Sequence, residues 1–155
     1  MANYFEDLEI GRTFQTAAIE ILPDAAIAFA RQWDPQPFHI DADVPDLALF
    51  SRTSASGLHT LVQAFRLCVD TGAFTPTAVA GLTLDNVTFH KPVFPNDAIR
   101  ALLTVIDKRT STSRAWLGIV TWTMQVTNQD GEQVLSMRFV NMIKRRPAAT
   151  LTKNL

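Results

Sequence analysis

A single cysteine, Cys68, sits in an apolar stretch of this chain, so no intramolecular disulfide framework and no multi-cysteine metal site is available to it. Net charge is equally sparse. At −1 over 155 residues the sequence lacks the basic stripe of a nucleic-acid binder, and its tight basic cluster, Lys144, Arg145 and Arg146, reads as a solvated strand end. No apolar run approaches the roughly 20 residues that a membrane helix needs. The stretch from Met1 to Phe14 carries Glu6, Asp7, Glu9 and Arg12, so no signal peptide is expected. Repeats, low-complexity blocks and Gly/Ser linkers are missing, as are a Gly-rich phosphate loop and the G-x-S-x-G elbow of a serine hydrolase. The three histidines, His39, His59 and His90, have no local ligand spacing, which speaks against a metal site. What remains is one globular domain with a respectable core, expected to be soluble and cytoplasmic, without nucleic-acid or membrane partners.

The part that is present changes period half-way. After an initial strand near residues 12–21, the spacing of Ala26, Ile27, Phe29, Ala30 and Trp33 predicts a helix that Pro23 opens, with Asp24 complementing its dipole. Pro35 and Pro37 must stop it near Trp33. A second helix is capped by Ser56, carries Leu58, Leu61, Val62, Phe65, Cys68 and Val69 at helical spacing, and ends at Thr71-Gly72. Ala64 and Leu67 lie outside that stripe, which predicts a helix buried on most sides.

Alternation then takes over. Ile99, Ala101, Leu103 and Val105 mark one strand. Trp116, Val120, Trp122, Met124 and Val126 share a face of another, and a turn at residues 128–131 leads into a strand from Val134 to Ile143. Between Gly81 and His90 the phase slips, as a bulge near Asp85-Asn86 would cause. Helices first and antiparallel strands afterwards predict an α+β domain, one buried helix wrapped by a curved sheet. A long apolar sheet half with an edge to protect, and two tryptophans on one strand face, predict a homodimer or a higher multiple.

Two stretches carry candidate chemistry. In "WDPQPFHID", Asp34 and His39 lie five residues apart across two prolines. A histidine exchanges protons near neutral pH, and a neighbouring carboxylate can orient it or share a water with it. The alternative is that Asp34 caps a local turn while His39 packs behind Phe38. Asp41 and Asp43 are expected to begin a short helix just beyond. In "SASGLHT", the Ser56-Gly57 step at the start of the buried helix offers free backbone N–H groups that can stabilise an oxyanion. The alternative there is ordinary capping by Ser56, with Gly57 chosen for close packing.

Taken together, "IAFARQWDPQPFHID" and "SASGLHTLVQAFRL" resemble the MaoC-like dehydratases, a hotdog-fold family that includes the (R)-specific enoyl-CoA hydratases. The family's hydratase motif is matched at Asp34, Pro37 and His39, and the similarity continues through "HKPVFPNDAI" and "NQDGEQV". The resemblance implies a single hotdog domain over residues 1–146, a flexible tail over 147–155, and a dimer as the active unit. It implies that Asp34 and His39 hold a water for addition across the double bond of an enoyl-CoA thioester, while an N–H at Ser56-Gly57 polarises the carbonyl. Gln36, Phe38 and His59 are the further candidate pocket residues. No cofactor is implied beyond the coenzyme A of the substrate.

This sequence departs from the family pattern at Gln36, where asparagine is frequent, at the polar Ser51 and Arg52 on the expected rim, and at Asn96, where glycine is frequent. Two other functions of the fold compete. An acyl-CoA thioesterase would want a carboxylate on the central helix, which has none before Asp70. A non-catalytic acyl-CoA binder would need neither proton carrier.

Overall fold

Two prolines and a serine decide where the helices begin. The computed structural model describes residues 2–41, 43, 50 and 52–147. Helix α1 (Pro23–Trp33) has Pro23 in its first turn and Asp34 as its C-cap; α2 (Pro37–Ile40) is a single turn opened by Pro37. Helix α3 (Gly57–Asp70) starts at Ser56, whose side chain accepts the Leu58 N–H at 3.2 Å. It ends at Thr71, after which Gly72 takes a left-handed φ of 71°. A 3-10 turn (Phe5–Asp7) precedes all of these.

The strands are β1 (Thr13–Gln15), β2 (Ile19–Glu20), β3 (Ala78–Phe89), β4 (Ala98–Thr110), β5 (Leu117–Thr127) and β6 (Gln133–Lys144). They form an antiparallel sheet in the order β1-β4-β5-β6-β3, with β2 also pairing β4. Alternation explains the core. Ile99, Ala101, Leu103 and Val105 of β4 and Val120, Trp122, Met124 and Val126 of β5 are all fully buried. Ala64 and Cys68 of α3 join the same cluster. Each large aliphatic side chain so buried stabilises the fold by about 1.5–3 kcal/mol before chain entropy is set against it. Trp122 also donates its indole N–H to Asn141 Oδ1 at 2.9 Å, so the one polar atom of this core residue is satisfied. The arrangement is the expected one, a long helix held against a curved antiparallel sheet.

Several expectations need correction. The initial strand is broken in two, because Thr16 imitates backbone: its N–H donates to Ala101 O at 2.9 Å and its Oγ1 accepts the Ala101 N–H at 2.8 Å. Leu58 and Val62, assigned to the buried stripe of α3, are 47% and 49% exposed, while His59, Thr60 and Ala64 are buried. Trp116 lies outside β5 and is exposed, so it shares no strand face with Trp122. Asp41 is the C-cap of α2 and accepts the Asp43 N–H at 2.9 Å, while the short helix expected just beyond these two residues lies outside the described residues. The slip in β3 is real: register shifts between Asp85 and Thr88, with Asn86 at φ 52°. Asn96 likewise supplies a positive φ of 72°. Ser51 and all of the expected tail except Pro147 fall outside the described residues.

Strand β3 is unlike the others. It ends the sheet, and Val79, Leu82, Leu84, Val87 and Phe89 are all exposed. Helix α3 covers the sheet centre and leaves a groove between itself and this edge strand.

Candidate active site

The backbone folds Asp34 and His39 onto one another through a run of short turns. Asp34 N–H still donates to Ala30 O at 2.9 Å, as the last bond of α1. Pro35 cannot continue the helix, so the chain turns: Gln36 N–H donates to Asp34 O at 2.7 Å and His39 N–H to Gln36 O at 2.9 Å. The result brings His39 Nε2 to 3.4 Å from Asp34 Oδ2, with side chains 9% and 17% exposed.

The other ring nitrogen settles the tautomer. His39 Nδ1 lies 2.8 Å from Ser54 O, and a carbonyl oxygen can only accept. Nδ1 therefore carries a hydrogen in the neutral ring, which leaves the lone pair of Nε2 facing Asp34. Ser54 is itself held in place, with its N–H donating to Phe38 O at 3.3 Å.

Asp34 is tethered from two sides. Ser56 Oγ donates to Oδ2 at 2.6 Å and Gln36 Nε2 donates to Oδ1 at 2.9 Å. The Ser56 bond first, then the Gln36 bond, hold the carboxyl below the usual carboxylate range; desolvation opposes them and the neighbouring His39 adds to them. Ser56 thus does two jobs, capping α3 and clamping the carboxylate. The cap expected at Ser56 is present, and the same hydroxyl that accepts from Leu58 donates to Asp34.

Gly57 follows at once. Among the described residues its N–H has no hydrogen-bond partner. It opens on a cleft of about 450 Å³ lined by Asp34, His39, Phe38, Phe50, Ser54, Leu58, Thr60, Phe89, Val93 and Val134, with His90 and Lys91 also along its edge. A Cβ on Gly57 would lie 2.6 Å from the Phe89 ring, so close packing demands glycine here as well.

The structure gathers Asp34, His39, Ser56, Gly57 and Phe38 into one place. Gln36 stands beside them, exposed and bonded to Asp34, but does not line the cleft. His59 is not part of it. Two residues beyond Gly57 on α3 it points toward α1, with its ring 5.0 Å from that of Phe29. Arg52 stacks over the Phe94 ring at 3.8 Å rather than entering the cleft. Phe89, Val93 and Val134 escaped sequence reasoning. The signals were "HKPVFPNDAI", which contains Val93 and follows Phe89, and "NQDGEQV", which ends on Val134, and neither assigned these residues a role. Among the described residues no group of three or more His, Cys, Asp or Glu is placed to hold a metal ion, and no helix is long and apolar enough to cross a membrane.

The model of the MaoC-like domain matches residues 6–128. This chain belongs to that family. It is 34% identical to a MaoC-like dehydratase from Rhodospirillum rubrum, whose crystal structure superposes with a TM-score of 0.85 over 95% of this chain and 100% of that one. It is 31% identical to the uncharacterized protein YdeM of Bacillus subtilis, across 90% of this chain and 98% of that protein. A shorter match, 47% identical over 68 residues, is to a mesaconyl-CoA hydratase from Haloarcula marismortui; it spans 43% of this chain and 19% of that enzyme. The MaoC-like chain has the hotdog fold of its family, and relatives named as hydratases and dehydratases put it among proteins of hydratase type.

Proposed function

We propose that the protein catalyses the reversible syn hydration of a trans-2-enoyl-CoA to the 3-hydroxyacyl-CoA at Asp34 and His39. The observation that carries this reading is the 3.4 Å approach of His39 Nε2 to Asp34 Oδ2 on the wall of a cleft that Gly57 also lines. A water cannot lie on the line between these atoms, which would require about 5.5 Å. It can lie beside both, on the cleft side, within hydrogen-bond reach of each.

Hydration needs one group to take a proton and another to give one, so the pair must share a single exchangeable proton. Because Ser56 and Gln36 favour the Asp34 carboxylate, we assign Asp34 the role of proton acceptor and His39 Nε2 that of proton donor. Asp34 then accepts a proton from water as its oxygen bonds to the β-carbon. His39 delivers its proton to the α-carbon, and the proton now on Asp34 returns to Nε2. Negative charge that develops on the thioester oxygen meets the Gly57 N–H at the positive end of α3. No cofactor enters these steps.

The thioesterase reading loses ground. Asp70, the first carboxylate of α3, sits at its far end, exposed and paired with Arg66 at 2.9 Å. A panel of enoyl-CoA thioesters, with loss of the conjugated absorbance followed on purified protein, tests the proposal. Turnover is expected with at least one of them, and release of free thiol without hydration would instead favour the thioesterase.

The proposed unit is a homodimer or a multiple of one. The support differs from what the sequence suggested, since Trp122 is spent in the core of the single chain. It is the exposed apolar edge strand β3, with Leu58 and Val62 of α3 beside it, that lacks cover. Light scattering at micromolar concentration is expected to give at least twice the chain mass.

A further inference from the structure

Two hollows lie along α3 and β3, one near each end of the helix. One is the 450 Å³ cleft at the start of α3, where Gly57 meets Phe89. The other, of about 600 Å³, lies toward the end of α3, between Phe65, Phe74, Phe139 and the first half of β3 through Leu84. The turn at residues 71–77 returns the chain from α3 into β3, so the two elements run side by side in opposite directions. Phe89, the last residue of β3, therefore stands at the helix start, and Leu84 stands further along.

Phe89 is oriented for a wall. It pairs with Leu135 and Leu84 with Phe139, so both point to the core face of the sheet, the side that α3 covers. Its ring lies against Gly57, within 3.0 Å of where a Cβ would be, yet 51% of the residue is exposed. A core phenylalanine would be closed in on all sides. This one is pressed on one side by backbone and borders open space on the other, while its own backbone is fixed by the neighbouring His90 N–H, which donates to Val134 O at 2.9 Å.

Resting on the hydratase reading, we propose that Phe89 sets the acyl-length limit: it separates the catalytic cleft from the second hollow and restricts the enzyme to enoyl thioesters with short acyl groups. A thioester carbonyl at the Gly57 N–H, with its double bond beside Asp34 and His39, sends its tail along α3. Phe89 meets that tail within a few carbons. Without the ring the tail continues into the apolar hollow bounded by Phe65 and Phe139, where each newly covered methylene is worth roughly fourfold in affinity.

The test compares the parent with Phe89→Ala and Phe89→Leu on trans-2-butenoyl-, hexenoyl-, octenoyl- and decenoyl-CoA, with calorimetric binding of saturated butyryl- and octanoyl-CoA in parallel. The parent is expected to lose kcat/KM steeply between butenoyl and octenoyl. Phe89→Ala is expected to raise the octenoyl-to-butenoyl ratio by roughly tenfold or more, mostly through KM, with Phe89→Leu in between and able to stand in if the alanine variant does not fold. The binding arm should show the same rise for octanoyl over butyryl. An unchanged ratio in folded variants, or a parent that hydrates decenoyl-CoA as well as butenoyl-CoA, overturns the proposal. If no enoyl-CoA is hydrated at all, the hydratase reading fails, and the binding ratios still decide whether Phe89 sets length.

Discussion

Two histidines lie buried at the start of α3, and their surroundings could hardly be more different. His39, on the cleft side, has Nδ1 fixed by Ser54 O and Nε2 facing a carboxylate. His59, on the α1 side, packs on Phe29; its Nε2 accepts from the Gln63 amide at 3.2 Å, and its Nδ1 has no partner among the described residues. Burial pushes His59 toward the neutral form. Depth alone therefore says nothing about role. A histidine is placed to carry a proton when one nitrogen is anchored and the other meets a group that takes the proton, and His59, though held at Nε2 by Gln63, has no such group at Nδ1 among the described residues.

The comparison breaks most visibly in turnover. Asp34→Asn keeps shape and hydrogen-bonding capacity but removes the proton acceptor, and His39→Gln removes the imidazole. Each is expected to slow hydration by roughly a hundred- to ten-thousandfold. The double variant should be little worse than either single, since the pair acts as a unit. Melting temperatures should change only modestly, as neither substitution opens a core cavity. Steady-state kinetics on the best enoyl-CoA, alongside thermal melts, check this. A folded Asp34→Asn protein working at the parental rate would end the assignment.

Ser56→Ala should give the next largest effect, because Ser56 joins the helix start to the carboxylate. Losing the cap costs about 1 kcal/mol. Losing the bond that does most to depress Asp34 raises its pKa, so the acid limb of kcat/KM moves up toward the ordinary carboxylate range. The sign for stability follows from the same shift. A carboxyl depressed in the folded state stabilises above its unfolded pKa and loses that stabilisation as pH falls. The parent's advantage over Ser56→Ala should therefore shrink in acid to the cap alone. An acid limb that stays in place would show that Ser56 serves only the helix.

Much of this was legible because local chemistry dictated it. Pro23, Ser56 and Gly72 mark helix ends through φ and capping, and Pro35 with Pro37 forces the chain to turn between Asp34 and His39, so their pairing could be read from a nonapeptide. What could not be read depended on partners distant in sequence. Leu58 and Val62 look like core because they are apolar at helical spacing, but burial depends on which neighbour covers the helix, and β3 stands away from it. His59 looks like a site residue because it follows Gly57 closely, yet a helix turns it to the opposite flank. Phe89 reaches the site from the end of an edge strand, and only strand register shows which face it takes. The break between β1 and β2 rests on one threonine hydroxyl replacing a backbone acceptor, which no periodicity reveals.

The smallest expected effect lies on the α1 flank and concerns stability alone. His59 is 3% exposed, and its Nδ1–H faces no acceptor among the described residues. An unsatisfied buried donor typically costs about 1–3 kcal/mol, and a leucine of similar breadth would remove that cost while keeping contact with Phe29. His59→Leu should therefore unfold in urea at an equal or higher midpoint near pH 8, with hydration unimpaired because the ring does not enter the cleft. Acid should widen the gap. A histidine whose folded pKa is depressed leaves the unfolded chain to bind the proton first, so stability is full above the unfolded pKa of about 6.5 and falls as pH drops below it. The substitution changes His59 alone, so the difference between the two proteins isolates it. Urea midpoints at pH 8 and pH 5.5 give the answer: the parent should lose more than the leucine variant on acidification. Equal losses would mean that His59 accepts its charge without penalty and that the two histidines differ less than their partners suggest.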